Sequence, residues 1–150
     1  MTDTTPEHDL APIVVSRFIK ASPAKVFAHL TESSAWALWQ GKTAQIEAEP
    51  GGIFRMEMPN GLTARGQFVE LIEDTRVVFT WGWIDNPGVP PGSSVVTINL
   101  EDRDGGTLVT LEHRDLIDET IDDHHKGWIY YLGRLDTVAS GGDPGPDTGP

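Results

Sequence analysis

Apolar and polar residues alternate through most of the chain, and the alternation is interrupted at intervals by turns rich in glycine, asparagine and aspartate. A period of two sends successive side chains to opposite faces of a strand, so these segments predict antiparallel strands with one covered face. Residues 13–20 (IVVSRFIK) form the first, and further strands are predicted over residues 44–48, 53–58, 62–73, 76–83, 94–101 and 107–114. Asn60-Gly61, Glu73-Asp74-Thr75 and Asp104-Gly105-Gly106 read as the turns of a meander. Residues 85–92 (DNPGVPPG) are longer and read as a mobile loop at a sheet end.

The pattern departs from period two in two places, and both predict helices. After the first strand, Ser22-Pro23 supplies a cap and a first-turn proline, and Val26, Phe27 and Leu30 give a short apolar face ending near Thr31. Trp36 and Trp39 suit a second short helical turn. After Arg114, the residues Ile121, His125, Trp128, Leu132, Leu135 and Ala139 recur at spacings of four and three, one stripe of a long helix. Asp118, Glu119, Asp122 and Asp123 begin it, where the helix dipole favours negative charge, and Ser140-Gly141-Gly142 ends it. The class is therefore α+β, a sheet of six to seven strands whose one available cover is the C-terminal helix.

Composition narrows the chemistry. The chain has 150 residues, 38% hydrophobic and 23% charged, which suits one globular domain. It has no cysteine, which excludes disulfides, thiolate metal sites and cysteine nucleophiles. Eleven Lys and Arg against 23 Asp and Glu give a net charge of −12, a surface that repels phosphate backbones and anionic membranes. No nucleic-acid or membrane partner is expected, and a polar, acidic start unlike a signal peptide suggests a cytoplasmic protein. Residues 1–12 and 140–150 lack apolar periodicity and read as disordered tails around a domain of residues 13–139.

Seven short motifs occur in order: Ser22-Pro23-Ala24-Lys25-Val26-Phe27; the Trp36/Trp39 segment; Gly51-Gly52-Ile53-Phe54; Gly66-Gln67-Phe68-Val69-Glu70-Leu71; Arg76-Val77-Val78-Phe79-Thr80-Trp81; Thr110-Leu111-Glu112-His113; and His125-Lys126-Gly127-Trp128 with Tyr131-Leu132. Together they resemble the activator of Hsp90 ATPase homologue 1-like (AHSA1-like) family of the START-like, SRPBCC superfamily. That resemblance implies a helix-grip (Bet v 1-like) fold, a curved sheet wrapped around the last helix with a cavity between them. It implies no single chemistry, because such domains include binding proteins, cochaperone-like modules and enzymes.

The residues expected to line that cavity are Phe27, Trp39, Phe54, Met56, Met58, Phe68, Phe79, Trp81, Leu111, His113, His125, Trp128, Tyr131 and Leu132. Aromatic residues at period two pack a core equally well, and both roles stand for them. His113 shares the inward face of its strand with Val109 and Leu111, which makes it the candidate acid/base residue or, alternatively, a buried histidine held by hydrogen bonds. His125 is placed on the apolar stripe of the last helix, as a ligand contact or a helix anchor. Gly66, beside Arg65, is read as letting the helix or a ligand approach the sheet closely. The acidic and histidine residues from Asp115 to His125 have no recognised metal spacing, and no nucleophile elbow or phosphate loop is present. No metal or cofactor is expected. Three functions compete: a binding protein for a small apolar or aromatic molecule, a module associated with an Hsp90-type chaperone, and an enzyme using His113 with Tyr131 as donor. A homodimer is a further expectation.

Overall fold

The computed structural model describes residues 12–150, so the expected N-terminal tail lies outside the described residues except for Pro12. The chain runs β1 (Ile13–Ile19), α1 (Pro23–Ala28), α2 (Ser33–Trp36), β2 (Thr43–Ile46), β3 (Ile53–Glu57), β4 (Thr63–Ile72), β5 (Arg76–Trp81), β6 (Ser94–Arg103), β7 (Gly106–Arg114) and α3 (Asp118–Ala139). One seven-stranded antiparallel sheet has the order β1-β7-β6-β5-β4-β3-β2, so β2 to β7 form the meander and β1 closes on β7. Strand burial alternates as the period predicts: Phe54 and Met56 of β3, Ala64, Gly66 and Phe68 of β4, and Val96, Ile98 and Leu100 of β6 face inward. α3 covers that face with Trp128, Tyr131, Leu132, Leu135 and Ala139.

Local chemistry explains the boundaries. Ser22 caps α1 by accepting the Lys25 N–H at 3.2 Å, with Pro23 in the first turn. β5 stops at Trp81 rather than Trp83, and just beyond it the absence of a side chain on Gly82 lets the loop approach, since a Cβ there would lie 1.9 Å from the Pro90 carbonyl oxygen. The loop of residues 85–92 is therefore folded back onto the sheet end. Its Val89 accepts the Trp83 N–H at 2.7 Å and buries its side chain with Ile13 and Leu116. Gly66 has a different partner from the one expected: a Cβ there would lie 1.9 Å from the Thr80 carbonyl oxygen, so the glycine admits the neighbouring strand.

The C-terminal segment also differs from the sequence reading. Residues 140–150 are seated on the domain rather than disordered, held by a buried cation that composition does not reveal. Arg134 donates to the carbonyls of Pro144 (3.1 Å), Gly145 (2.8 Å) and Pro146 (3.4 Å), and on its other side to Trp39 at 2.9 Å. Asp147 then accepts the Gly41 N–H at 2.8 Å and the Tyr130 hydroxyl at 3.2 Å. Proline removes donors but leaves its carbonyl, so a Pro/Gly-rich strip suits a guanidinium that has five N–H groups to place.

Candidate functional site

A cleft of about 420 Å³ opens where the end of β5, the β3–β4 turn, the first half of α3 and the C-terminal segment meet. Its apolar wall is Met58, Leu62, Trp81, Trp83, Trp128 and Tyr131, and its polar groups include His124, Asp123, Thr120, Asn86 and Gln40. Thr148, Gly149 and Pro150 form one rim. Gly127 faces the cleft from α3, with open space where a side chain would stand.

Of the residues expected to line a cavity, Met58, Trp81, Trp128 and Tyr131 line this cleft. Trp39, Phe54, Met56, Phe68, Phe79, Leu111 and Leu132 are instead buried in the core. Their rings fill it: Phe54 stacks on Phe79 at 4.3 Å, and Trp36 meets Trp39 at 4.9 Å and Phe54 at 5.1 Å. Phe27 is half-buried at the core's edge. His125 is exposed, and the histidine that faces inward is its neighbour His124. Both positions fit a three-and-four spacing, since His124 lies three residues after Ile121 and four before Trp128. The helical period alone does not choose between them.

Behind the cleft wall, His113 is 1% exposed and both its ring nitrogens are engaged. The Trp128 indole N–H donates to Nδ1 at 2.9 Å. An indole nitrogen only donates, so Nδ1 carries no proton and the neutral ring is protonated at Nε2. Nε2 donates to Ser94 Oγ at 2.8 Å, and that hydroxyl donates to the Trp81 carbonyl at 2.8 Å. Burial, and secondarily the nearby His124, push the His113 pKa well below 6.5. His124 has the opposite tautomer: Nδ1 donates to the Thr120 carbonyl at 2.8 Å, leaving Nε2 to accept the Trp83 indole at 3.0 Å and the Trp81 indole at 3.4 Å. Burial lowers its pKa too, against the raising influence of the Thr120 contact and Asp123. The two imidazoles lie 5.2 Å apart, edge to face. Burial, and then the Asp147 carboxylate, raise the Tyr131 pKa far above its ordinary value, so it remains a neutral phenol.

Neither imidazole has a free basic nitrogen aimed at the cleft. Among the described residues, no group of three or more His, Asp and Glu side chains is disposed to hold a metal ion. None of the described helices is long and apolar enough to cross a membrane.

A seven-stranded antiparallel sheet closed by a C-terminal helix defines a helix-grip protein of the START-like class. The family model for activator of Hsp90 ATPase homolog 1-like protein matches residues 20–140, and the chain belongs to that family. An AHSA1-like protein of Rhizobium etli is 42% identical, with a TM-score of 0.69 over 90% of this chain and 86% of that one. Two more distant structures share the fold. Aha1 of Colwellia psychrerythraea, solved as a dimer, is 18% identical with a TM-score of 0.79 over 89% of this chain and 98% of that one. A protein of the dynemicin biosynthetic locus is 19% identical with a TM-score of 0.80 over 93% of this chain, which spans 51% of that protein's length. Among curated proteins none matches the sequence.

Proposed function

We propose that this protein binds a small apolar or aromatic molecule in the cleft between the sheet end and α3, without transforming it. One observation carries the reading: three tryptophans, a tyrosine, a methionine and a leucine wall a space of about 420 Å³, while the adjacent histidines have their basic nitrogens occupied. Ligand pockets are commonly apolar concavities of roughly 300–1,000 Å³ with a few placed polar groups. A general base needs a lone pair within reach of the substrate proton. His113 has none to offer, so its role is taken as structural.

Native mass spectrometry of freshly isolated protein, before and after incubation with 9-fluorenone, followed by denaturing extraction, tests this reading. A stoichiometric small molecule, carried from the cell or taken up as the ketone, supports it. Protein that arrives empty and takes up none contradicts it. The same spectra weigh the proposed homodimer, which the dimeric Colwellia relative motivates.

A further inference from the structure

Five indole N–H groups must find acceptors in this domain. Trp36 has Gln40 Oε1 at 3.0 Å, Trp39 has the His29 carbonyl at 3.0 Å, and Trp128 has His113 Nδ1 at 2.9 Å. The remaining two, Trp81 and Trp83, converge on one atom, His124 Nε2, at 3.4 and 3.0 Å. An unprotonated imidazole nitrogen has a single in-plane lone pair, so it accepts one strong hydrogen bond. Trp83 holds the shorter contact, and Trp81 is one donor too many. The His124 tautomer cannot relieve this, because Nδ1–H is committed to the Thr120 carbonyl at 2.8 Å. Trp81 is only 2% exposed and lines the cleft, so a ligand seated there packs against the residue that carries the surplus donor. A buried donor without its own acceptor is costly, which makes it a point of attraction for any ligand oxygen that reaches it.

We infer that the Trp81 indole N–H is a specificity determinant: the cleft selects apolar molecules that carry a hydrogen-bond acceptor, such as a carbonyl or ether oxygen, over hydrocarbons of the same shape. This rests on the cleft being a ligand site, as proposed above. Trp83 and His124 act with Trp81, because the stronger Trp83 bond is what leaves Trp81 with only the long 3.4 Å share of the His124 lone pair. Removing the Trp83 donor gives the whole lone pair to Trp81 and ends the selection.

A matched pair of probes tests it, 9-fluorenone against fluorene, which differ by a C=O in place of a CH₂. Calorimetric titration of the wild-type protein is expected to give about ten-fold tighter binding of the ketone, the scale of one buried hydrogen bond. In Trp83→Phe, which keeps an aromatic ring at this half-buried position and removes the donor, the ratio is expected to fall toward one. In ¹H–¹⁵N spectra the Trp81 indole signal is expected to move downfield on adding fluorenone, and on the Trp83→Phe substitution without ligand. Fluorene is expected to produce no such movement. Equal affinities for the two probes, or a Trp81 signal that ignores both changes, overturns this inference while leaving the cleft a ligand site. If neither probe binds, the proposed function falls and the inference falls with it.

Discussion

The indole N–H of Trp128 donates to Nδ1 of His113 across 2.9 Å, joining the first half of α3 to the end of β7. That bond assigns the His113 tautomer and removes its lone pair from chemistry. The expected outcome in ¹⁵N spectra is a His113 ring protonated at Nε2 alone throughout the neutral range. Trp128→Phe leaves Nδ1 buried without a donor and is expected to cost about 1–3 kcal/mol in urea unfolding, in addition to lost packing. A His113 protonated at Nδ1 contradicts the assignment.

His113 and His124 both have pKa values lowered from 6.5 by burial. The unfolded chain therefore takes up protons on acidification before the folded protein does. Their neutral state supports folding fully above about pH 6.5, and stability falls as the pH drops below it, until the folded pKa values are reached. Each group contributes a slope of up to about 1.4 kcal/mol per pH unit in that window. Melting temperatures measured from pH 8 to pH 4 are expected to begin falling near about 6.5, and less steeply in His124→Gln than in the wild type. A flat profile through that window contradicts the burial of neutral imidazoles.

Arg134 ties the C-terminal segment to the body through the carbonyls of Pro144, Gly145 and Pro146. Arg134→Met keeps the apolar stem and removes the donors. It is expected to release residues 143–149, with faster amide exchange at Gly145 and Gly149, and to cost about 1–3 kcal/mol. Unchanged exchange at those amides would show that the segment is held by other contacts.

Gly66→Ala places a methyl 1.9 Å from the Thr80 carbonyl oxygen, a backbone atom that cannot step aside. The expected result is a loss of at least about 3 kcal/mol or failure to accumulate folded protein, read from denaturant midpoints and soluble yield. A variant of near wild-type stability would mean that β4 and β5 separate more readily than this packing allows.

The strands and the long helix were legible because their periods are long and unbroken, and the turns at Asn60-Gly61 and Asp104-Gly105 have the chemistry that hairpins need. The site was half legible. Trp81, Trp128, Tyr131 and Met58 lay on inward positions, but so did Phe54, Phe68 and Phe79, and a period of two does not distinguish a wall facing space from one facing another ring. His124 was missed in favour of His125 because spacings of three and four are both one helical turn. Trp83 shared an alternate strand face with Val77, Phe79 and Trp81, but its contact with the following loop was not legible, and the C-terminal rim was missed. Gly82 meets Pro90 only in three dimensions, and the hold on residues 144–146 depends on a single arginine, Arg134, near the end of α3. The signal for that last contact was present as an arginine on the apolar side of α3, one residue before Leu135.

Gly127 offers the most direct test of the cleft as a ligand site, since it faces that space and a side chain there meets nothing within 4 Å. Gly127→Leu fills the cleft, and replacing a helical glycine is expected to stabilise α3 by roughly 0.5–1 kcal/mol. Titrating both proteins with 9-fluorenone while following tryptophan fluorescence is expected to give saturable one-site quenching in the wild type. In the variant, folded and at least as stable, binding is expected to be weaker by about ten-fold or more. Equal binding by a fully folded Gly127→Leu protein would place the ligand elsewhere and contradict the account.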